Sequence, residues 1–294
     1  MSAMGWISGD LKSWLSPTRT TTGAYNHSRI DESAAGRQAG LEALRDLVVE
    51  AHADAVARLD ALAAIDLHPL GRSDATDAIL YPDSLDTRTL QGYLGEILAG
   101  LVAENFEPHD RKWQVPAFLF RTHVAAFQAL ERRRQLGGPA KPIPGRGGDD
   151  CLAFIRDDEG RIIEWLMCEA KCTHGHSATL IAEGHQQLSH EIRVPVDLLQ
   201  LIEILTASDD PSAPEWVDAL RLLLQAPTTN PGVDRLDLFM YVCGRSPVSK
   251  PSWIPKDKPH DDYLADGPLE AVELHLKDFD AVIEVAYPEH EIVR

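Results

Sequence analysis

The first third of the chain carries apolar residues at the spacing of an α-helix. From about residue 34 to residue 65 alanine is abundant and no proline intervenes, which predicts one long helix or a broken pair. A second apolar stripe predicts a helix from about residue 86 to residue 105, capped by Asp86 or Thr87. Residues 1–30 lack such a pattern, so we expect a loose or partner-bound arm there.

The remainder alternates short apolar runs with helical patterns, which indicates an α/β fold. The turn sequence Asp157-Asp158-Glu159-Gly160 predicts an antiparallel hairpin of residues 151–155 and 162–170. Other predicted elements are strands at 236–242 and 272–276, helices at 122–136, 177–192, 197–207, 215–225 and 279–287, and a strand or apolar turn at 115–120. We expect a helical N-terminal lobe, residues 1–87, and an α/β domain, residues 88–294.

Composition narrows the classes of protein that the chain can represent. Its 294 residues suffice for a real core, and its hydrophobic and charged fractions, 44% and 25%, are those of a globular protein. No apolar run approaches the roughly 20 residues of a membrane span, so no membrane partner is expected. The N-terminus lacks the pattern of a secretory signal. Four cysteines are too few for a disulfide framework, which predicts a reducing, cytoplasmic environment.

Charge is unevenly distributed along the chain. The net charge of −18 opposes casual binding to nucleic acid. Residues 111–146, however, hold eight Lys and Arg against one Glu. A solvated helix face followed by a loop would explain this segment, but it also suits contacts with a phosphate backbone. The residues expected to make those contacts are Arg132, Arg133, Arg134, Lys141 and Arg146.

The predicted hairpin brings three charged side chains to one edge of the sheet. Asp150 precedes the first strand, while Glu169 and Lys171 share one face of the second because side chains alternate along a strand. Mg²⁺ binds one or two carboxylates together with waters and substrate phosphate, and Mn²⁺ would suit the same oxygen ligands. Lys171 would orient or deprotonate an attacking water and offset the charge that builds on the phosphate.

Two further carboxylates leave alternatives open. Asp149 competes with Asp150 as a metal ligand, and the position of Asp150 directly before the apolar run favours Asp150. Glu96 lies beside the stripe of the second predicted helix, with Gly92 and Gly100 one turn away on either side. These glycines would let a backbone or ligand approach the carboxylate. A solvated glutamate with incidental glycines is the alternative.

The sequences Gly148-Asp149-Asp150 and Glu169-Ala170-Lys171, with Glu169 19 residues after Asp150, resemble the PD-(D/E)xK nuclease superfamily. The resemblance covers about residues 88–243, although the proline that often precedes the acid is absent. It implies a restriction-endonuclease-like core, a mixed β-sheet flanked by helices in αβββαβ order. It also implies a site glutamate on the preceding helix, a place that Glu96 fits.

The same resemblance implies auxiliary residues and partners. A glutamine on the helix after the second motif is common in these nucleases, and Gln187 is our first choice, with His185 and Gln186 as alternatives. Within the superfamily the layout is most similar to the nuclease subunit of Hachiman-type antiphage defence systems. That similarity implies DNA as the substrate and a helicase or ATPase subunit as a partner.

Cysteine and histidine offer a competing chemistry. Cys168, Cys172, His174 and His176 have a spacing that could ligate zinc. Cys168 would, however, lie in mid-strand facing away from Glu169. We interpret it as a small core residue, and His174 and His176 as auxiliary residues near the active edge.

Three functional hypotheses follow. The first is a metal-dependent nuclease that hydrolyses DNA phosphodiester bonds, the effector of a prokaryotic antiphage complex restrained by a helicase partner. The second is a catalytically inactive protein of nuclease fold that acts as a binding or regulatory subunit. The third is a zinc-stabilised binding module.

Overall fold

Within the described residues, six strands form one mixed sheet. The computed structural model describes residues 8–23, 25–64, 81–136, 143, 146, 148–190, 194–225 and 233–288. The strands are β1 Leu15–Thr22, β2 Tyr25–Glu32, β3 Cys151–Arg156, β4 Ile162–Thr173, β5 Asp234–Cys243 and β6 Leu269–His275. The α-helices are α1 Ser8–Trp14, α2 Arg37–Ala64, α3 Thr87–Phe106, α4 Val124–Leu136, α5 Ala178–Leu188, α6 Leu198–Thr206, α7 Ala213–Gln225 and α8 Phe279–Ala286.

The sheet is parallel in its interior and antiparallel at both edges. The strand order is β1-β2-β6-β5-β4-β3. The inner strands β2, β6, β5 and β4 run parallel, whereas β1 and β3 pair antiparallel with their neighbours. The carboxyl ends of the parallel strands therefore meet at one end of the sheet, where open α/β sheets commonly bind ligands. The predicted α/β class, a mixed sheet flanked by helices, is confirmed.

Helices cover both faces of the sheet and enclose two apolar cores. Helices α2, α3 and α8 pack on one face, and α5, α6 and α7 on the other. Strand β4 contributes to both cores because its side chains alternate: Leu166 and Cys168 face the first, Trp165 and Met167 the second. Burial on both faces accounts for the nearly continuous apolar sequence of this strand.

The prediction of a loose or partner-bound N-terminal arm is wrong for residues 8–23 and 25–30, whereas residues 1–7 and 24 lie outside the described residues. These residues form α1, β1 and most of β2, and β2 pairs along its length with β6. The expected division near residue 88 therefore separates β1 and β2 from the sheet to which they belong. Strand β1 is a polar edge strand, exposed along most of its length, so its sequence carries little of the apolar pattern on which the prediction depended.

Most other elements lie close to their predicted positions. The segment predicted to form one long helix or a broken pair is one continuous helix, α2. Asp86 caps α3, because its carboxylate accepts hydrogen bonds from the Arg88 and Thr89 N–H groups at 3.1 and 3.2 Å. Segment 115–120 is not a strand. Gln114 instead makes an isolated antiparallel bridge with Phe154, and a 3₁₀ turn follows at Leu119–Thr122. None of the described helices is long and apolar enough to cross a membrane.

Candidate active site at the β3–β4 hairpin

The register of the hairpin places Asp150 beside Glu169. Cys151 pairs with Cys168, so the residue before Cys151 comes opposite the residue after Cys168. The Asp150 carboxylate also accepts a hydrogen bond from the Ala170 N–H at 2.8 Å. Strand β4 extends past the first residue of β3, and the site lies where β4 no longer has β3 as a neighbour.

Glu169 and Lys171 lie on the face of β4 that packs against α5. The Lys171 ammonium donates to a Glu169 carboxylate oxygen at 2.5 Å, and the exposed fractions of the two side chains are 24% and 7%. Burial, and then the negative charge of Asp150, raise the pKa of Glu169 to about 8. Burial opposes protonation of Lys171, but the charges of Glu169, Asp150 and Glu183 outweigh it and raise the pKa of Lys171. Lys171 therefore keeps its proton.

The raised pKa of Glu169 predicts how stability depends on pH in the absence of metal. A carboxyl group whose pKa is higher in the folded than in the unfolded protein stabilises the fold while it is protonated. That contribution is complete below the ordinary pKa of 4.5 and is lost as the pH rises through about 8. We expect urea unfolding in EDTA to show Glu169→Gln gaining stability relative to the wild type across this range. Parallel pH profiles of the two proteins would contradict the assignment.

Glu96 projects from α3 into the same electrostatic environment. It is buried, and one of its carboxylate oxygens has no hydrogen-bond partner among the described residues. Burial raises the pKa of Glu96 well above its ordinary value, the charge of Arg146 opposes that shift, and the charge of Asp150 adds to it. The close approach of α3 to β4 occurs at Gly95, where an added Cβ would lie 3.1 Å from the Cys172 Cβ. Gly92, one of the two glycines expected to matter, faces open space.

Asp149 and Asp150 have different partners. The Asp149 N–H donates to the Asp197 carboxylate at 2.9 Å, and the Asp149 carboxylate accepts from the Asp197 N–H at 3.2 Å. This reciprocal pair fastens the chain before β3 to the start of α6. Asp149 thus anchors the chain before β3, although its Oδ1 has no hydrogen-bond partner among the described residues, and Asp150 is the acid opposite Glu169.

Arg146 lies inside the protein. Its guanidinium donates to the Asp197 carboxylate at 2.6 Å and lies 3.9 Å from the Glu96 carboxylate, and its side chain is 8% exposed. An exposed contact with a phosphate backbone, the role expected from sequence, does not fit this position. Arg146 instead neutralises part of the carboxylate cluster.

The rest of the predicted basic surface is only partly described. Arg132 is exposed on α4. Arg133 and Arg134 belong to the same helix, but their side chains, like all of Lys141, lie outside the described residues.

Helix α5 presents a different residue to the site from the one expected. Gln187 and Gln186 are exposed near the end of the helix, and His185 is buried with its Nδ1 2.7 Å from the Ile181 carbonyl oxygen. Glu183, one turn before Gln187, is the α5 residue whose charge reaches Lys171. Sequence reasoning missed Glu183, although Glu183 lies four residues before Gln187 and therefore on the same face of the helix.

The cysteines and histidines of the zinc hypothesis point to different surroundings. Cys168 is buried against Cys151, and Cys172 packs against Gly95. His174 faces Asp280 at 3.6 Å, whereas His176 stacks on Trp253. In the part of the chain that the structure describes, no three His, Cys, Asp or Glu side chains form a ready-made metal cage.

Comparison with known proteins adds no family assignment. No protein-family model matches the chain, and no curated protein shows a significant match.

Proposed function

We propose that the chain is a metal-dependent nuclease that hydrolyses DNA phosphodiester bonds with Mg²⁺ or Mn²⁺. The observation that carries the proposal is the position of Asp150, one residue before the Cys151–Cys168 pair and so opposite Glu169, with Lys171 bound to Glu169. Two carboxylates can hold the divalent cation of metal-assisted phosphodiester hydrolysis, and a neighbouring ammonium can stabilise charge on the phosphate.

The carboxylates fit a divalent cation. The pKa of each of Asp150, Glu169 and Glu96 is raised, in each case chiefly by burial. Ionising these carboxyl groups therefore costs free energy, and a bound cation would offset that cost. Mg²⁺ needs only one or two protein carboxylates, because water and substrate phosphate complete its coordination. Asp150 and Glu169 are the residues that would hold it, and Glu96, with an unpartnered oxygen, would support them.

Each side chain has a definable task. A bound metal supplies Lewis-acid activation of the phosphate and of water. The charges of Glu169 and Asp150 raise the pKa of Lys171, so its ammonium is suited to hold a water by hydrogen bonding or to stabilise charge on the phosphate. Asp149 and Asp197 fix the chain that leads into Asp150.

The order of elements around the site supports a restriction-endonuclease-like core. After α3 come the Gln114–Phe154 bridge, α4, β3, β4, α5, α6, α7 and β5, which is parallel to β4. If the bridge is counted as a reduced strand, and α4, α6 and α7 as additions, this order agrees with the αβββαβ arrangement of PD-(D/E)xK nucleases.

Plasmid cleavage tests the proposal. We expect the purified chain to cut supercoiled DNA with Mg²⁺ and not with EDTA, and Lys171→Ala to lower the rate at least about a hundredfold, since it removes a fixed cation from the reacting phosphate. Lys258→Ala is the matched control, because Lys258 is an exposed lysine that pairs with Asp261. A cleavage rate that is the same in EDTA as in Mg²⁺, or that is unchanged in Lys171→Ala, would contradict the proposal.

A second candidate is an inactive protein of nuclease fold that binds or regulates a partner. The position of Arg146 favours it, because a buried guanidinium already balances part of the charge of Glu96 without a metal. Mg²⁺-dependent cutting by the purified chain would eliminate this candidate.

The narrower form of the nuclease proposal places the chain in an antiphage complex with a helicase partner. The net charge of −18 supports it, because an acidic nuclease binds DNA poorly unless a partner delivers the substrate. Co-purification with a helicase subunit is the expected result, with cutting restrained in the complex until the helicase delivers the substrate. A complex that cuts free DNA at the rate of the isolated chain would argue against it.

A further inference from the structure

The candidate site continues across the sheet through residues that pair in register. Lys171 on β4 pairs with Tyr241 on β5, and Tyr241 pairs with Glu273 on β6, so the three share one face. The Tyr241 hydroxyl accepts from the Ser177 N–H at 2.8 Å and lies 3.4 Å from His176 Nδ1. Tyr241 thus connects the position of Lys171 to the loop that follows β4.

That loop carries an aromatic stack at the carboxyl end of the sheet. The His176 and Trp253 rings are 3.8 Å apart and inclined by 8°. Two hydrogen bonds hold Trp253 in place. Its backbone N–H donates to the buried Glu273 carboxylate at 2.9 Å, and its indole N–H donates to the Arg245 carbonyl oxygen at 3.2 Å. His176 is exposed, and no other described ring stacks on its second face.

Two exposed cations border the stack. The Lys250 ammonium lies 5.0 Å from the centre of the Trp253 ring, and Arg245, two residues after the end of β5, accepts the Trp253 indole N–H with its backbone carbonyl oxygen. No carboxylate among the described residues lies within ion-pairing distance of either side chain, although Asp280 faces the neighbouring His174. In a chain of net charge −18, two unneutralised cations beside an open aromatic face distinguish this surface.

We propose that His176, stacked on Trp253, together with Arg245 and Lys250 binds an unpaired nucleotide of the strand that the Asp150–Glu169 site cuts. The inference rests on the proposed nuclease function and adds a substrate class, nucleic acid with a single-stranded segment. A base can stack on a ring only where it has left a duplex, and cations beside the ring hold the adjacent phosphates. Within the registered row Tyr241 lies between Lys171 and Glu273, and its hydroxyl lies 3.4 Å from His176 Nδ1.

The protonation state of His176 agrees with stacking. Partial burial, and then the charge of Lys250, lower the pKa of His176, so the ring is neutral near pH 7. The phosphate contacts are therefore assigned to Arg245 and Lys250.

Binding of an oligothymidylate of about 20 nucleotides, longer than the roughly 4–16 nucleotides that such surfaces occupy, tests the inference. Fluorescence anisotropy of the labelled strand in EDTA requires no cutting. We expect His176→Ala to weaken binding about tenfold and His176→Phe, which keeps a stacking ring, to restore it. Arg245→Ala with Lys250→Ala should lower the slope of log affinity against log salt by about 1.4.

A control double variant removes two positive charges from other parts of the surface. Arg161→Ala with Arg221→Ala takes two exposed cations from the hairpin turn and from α7, and should change affinity less than about twofold. Equal losses in both double variants, or His176→Ala binding like the wild type, would overturn the inference. A protein that binds the strand through His176 but never cuts would leave the subsite standing and remove only the nuclease proposal.

Discussion

Replacing Asp150 by asparagine should slow DNA cleavage by about three to four orders of magnitude, because it removes one of two carboxylates available to the metal. The fold should persist, since the amide oxygen of asparagine can still accept the hydrogen bond from the Ala170 N–H. Cleavage rates at saturating Mg²⁺, and unfolding by urea, measure the two effects separately.

Asp149→Asn is the matched control, one residue away and equally conservative. An asparagine there can still accept the hydrogen bond from the Asp197 N–H, so activity should stay within about tenfold of the wild type. If Asp149→Asn abolishes cleavage and Asp150→Asn does not, the two acids have been assigned in the wrong order.

The second large effect is on stability. Asp197→Ala should lower the free energy of unfolding by about 3–5 kcal/mol, because it leaves the Arg146 guanidinium buried without its closest carboxylate. It also removes the carboxylate that accepts the Asp149 N–H, so the chain that leads into Asp150 loses an anchor. Urea denaturation of the metal-free protein gives the measurement.

Glu215→Ala provides a comparison for Asp197→Ala. Glu215 also lies near an arginine, Arg156 at 3.9 Å, but its side chain is 75% exposed, so its removal should cost less than about 1 kcal/mol. Combining Asp197→Leu with Arg146→Met should recover part of the stability, because neither charge then remains buried. If the double variant loses as much free energy of unfolding as the two single variants together, the buried ion pair is not the cause of the lost stability.

The hairpin is the part of the site that follows from sequence. An apolar run, a turn of Asp and Gly, and a second run define the pairing, and pairing alone brings Asp150 to Glu169. The surroundings could not be predicted in this way. A sequence gives the charge of Arg146 but not its burial, and its partner Asp197 is 51 residues away and has no pattern that links the two.

The N-terminal strands show the same limit at the level of the fold. Edge strands such as β1 have one neighbour and face solvent, so they lack the apolar alternation that marks inner strands. The pairing of β2 with β6 is also non-local, and a single sequence contains no signal for such contacts.

That pairing has a consequence for how the protein is made. Residues joined between β2 and β6, such as His27 and Glu273, are 246 positions apart. At ribosomal rates of about 5–20 residues per second, β2 waits roughly 12 to 50 seconds after its own synthesis before β6 exists. Throughout that interval the second edge of β2 is open to other chains, and contacts of such long separation also form slowly. The unpaired edge of β2 is therefore a place where the nascent protein can form wrong strand pairs until β6 is made.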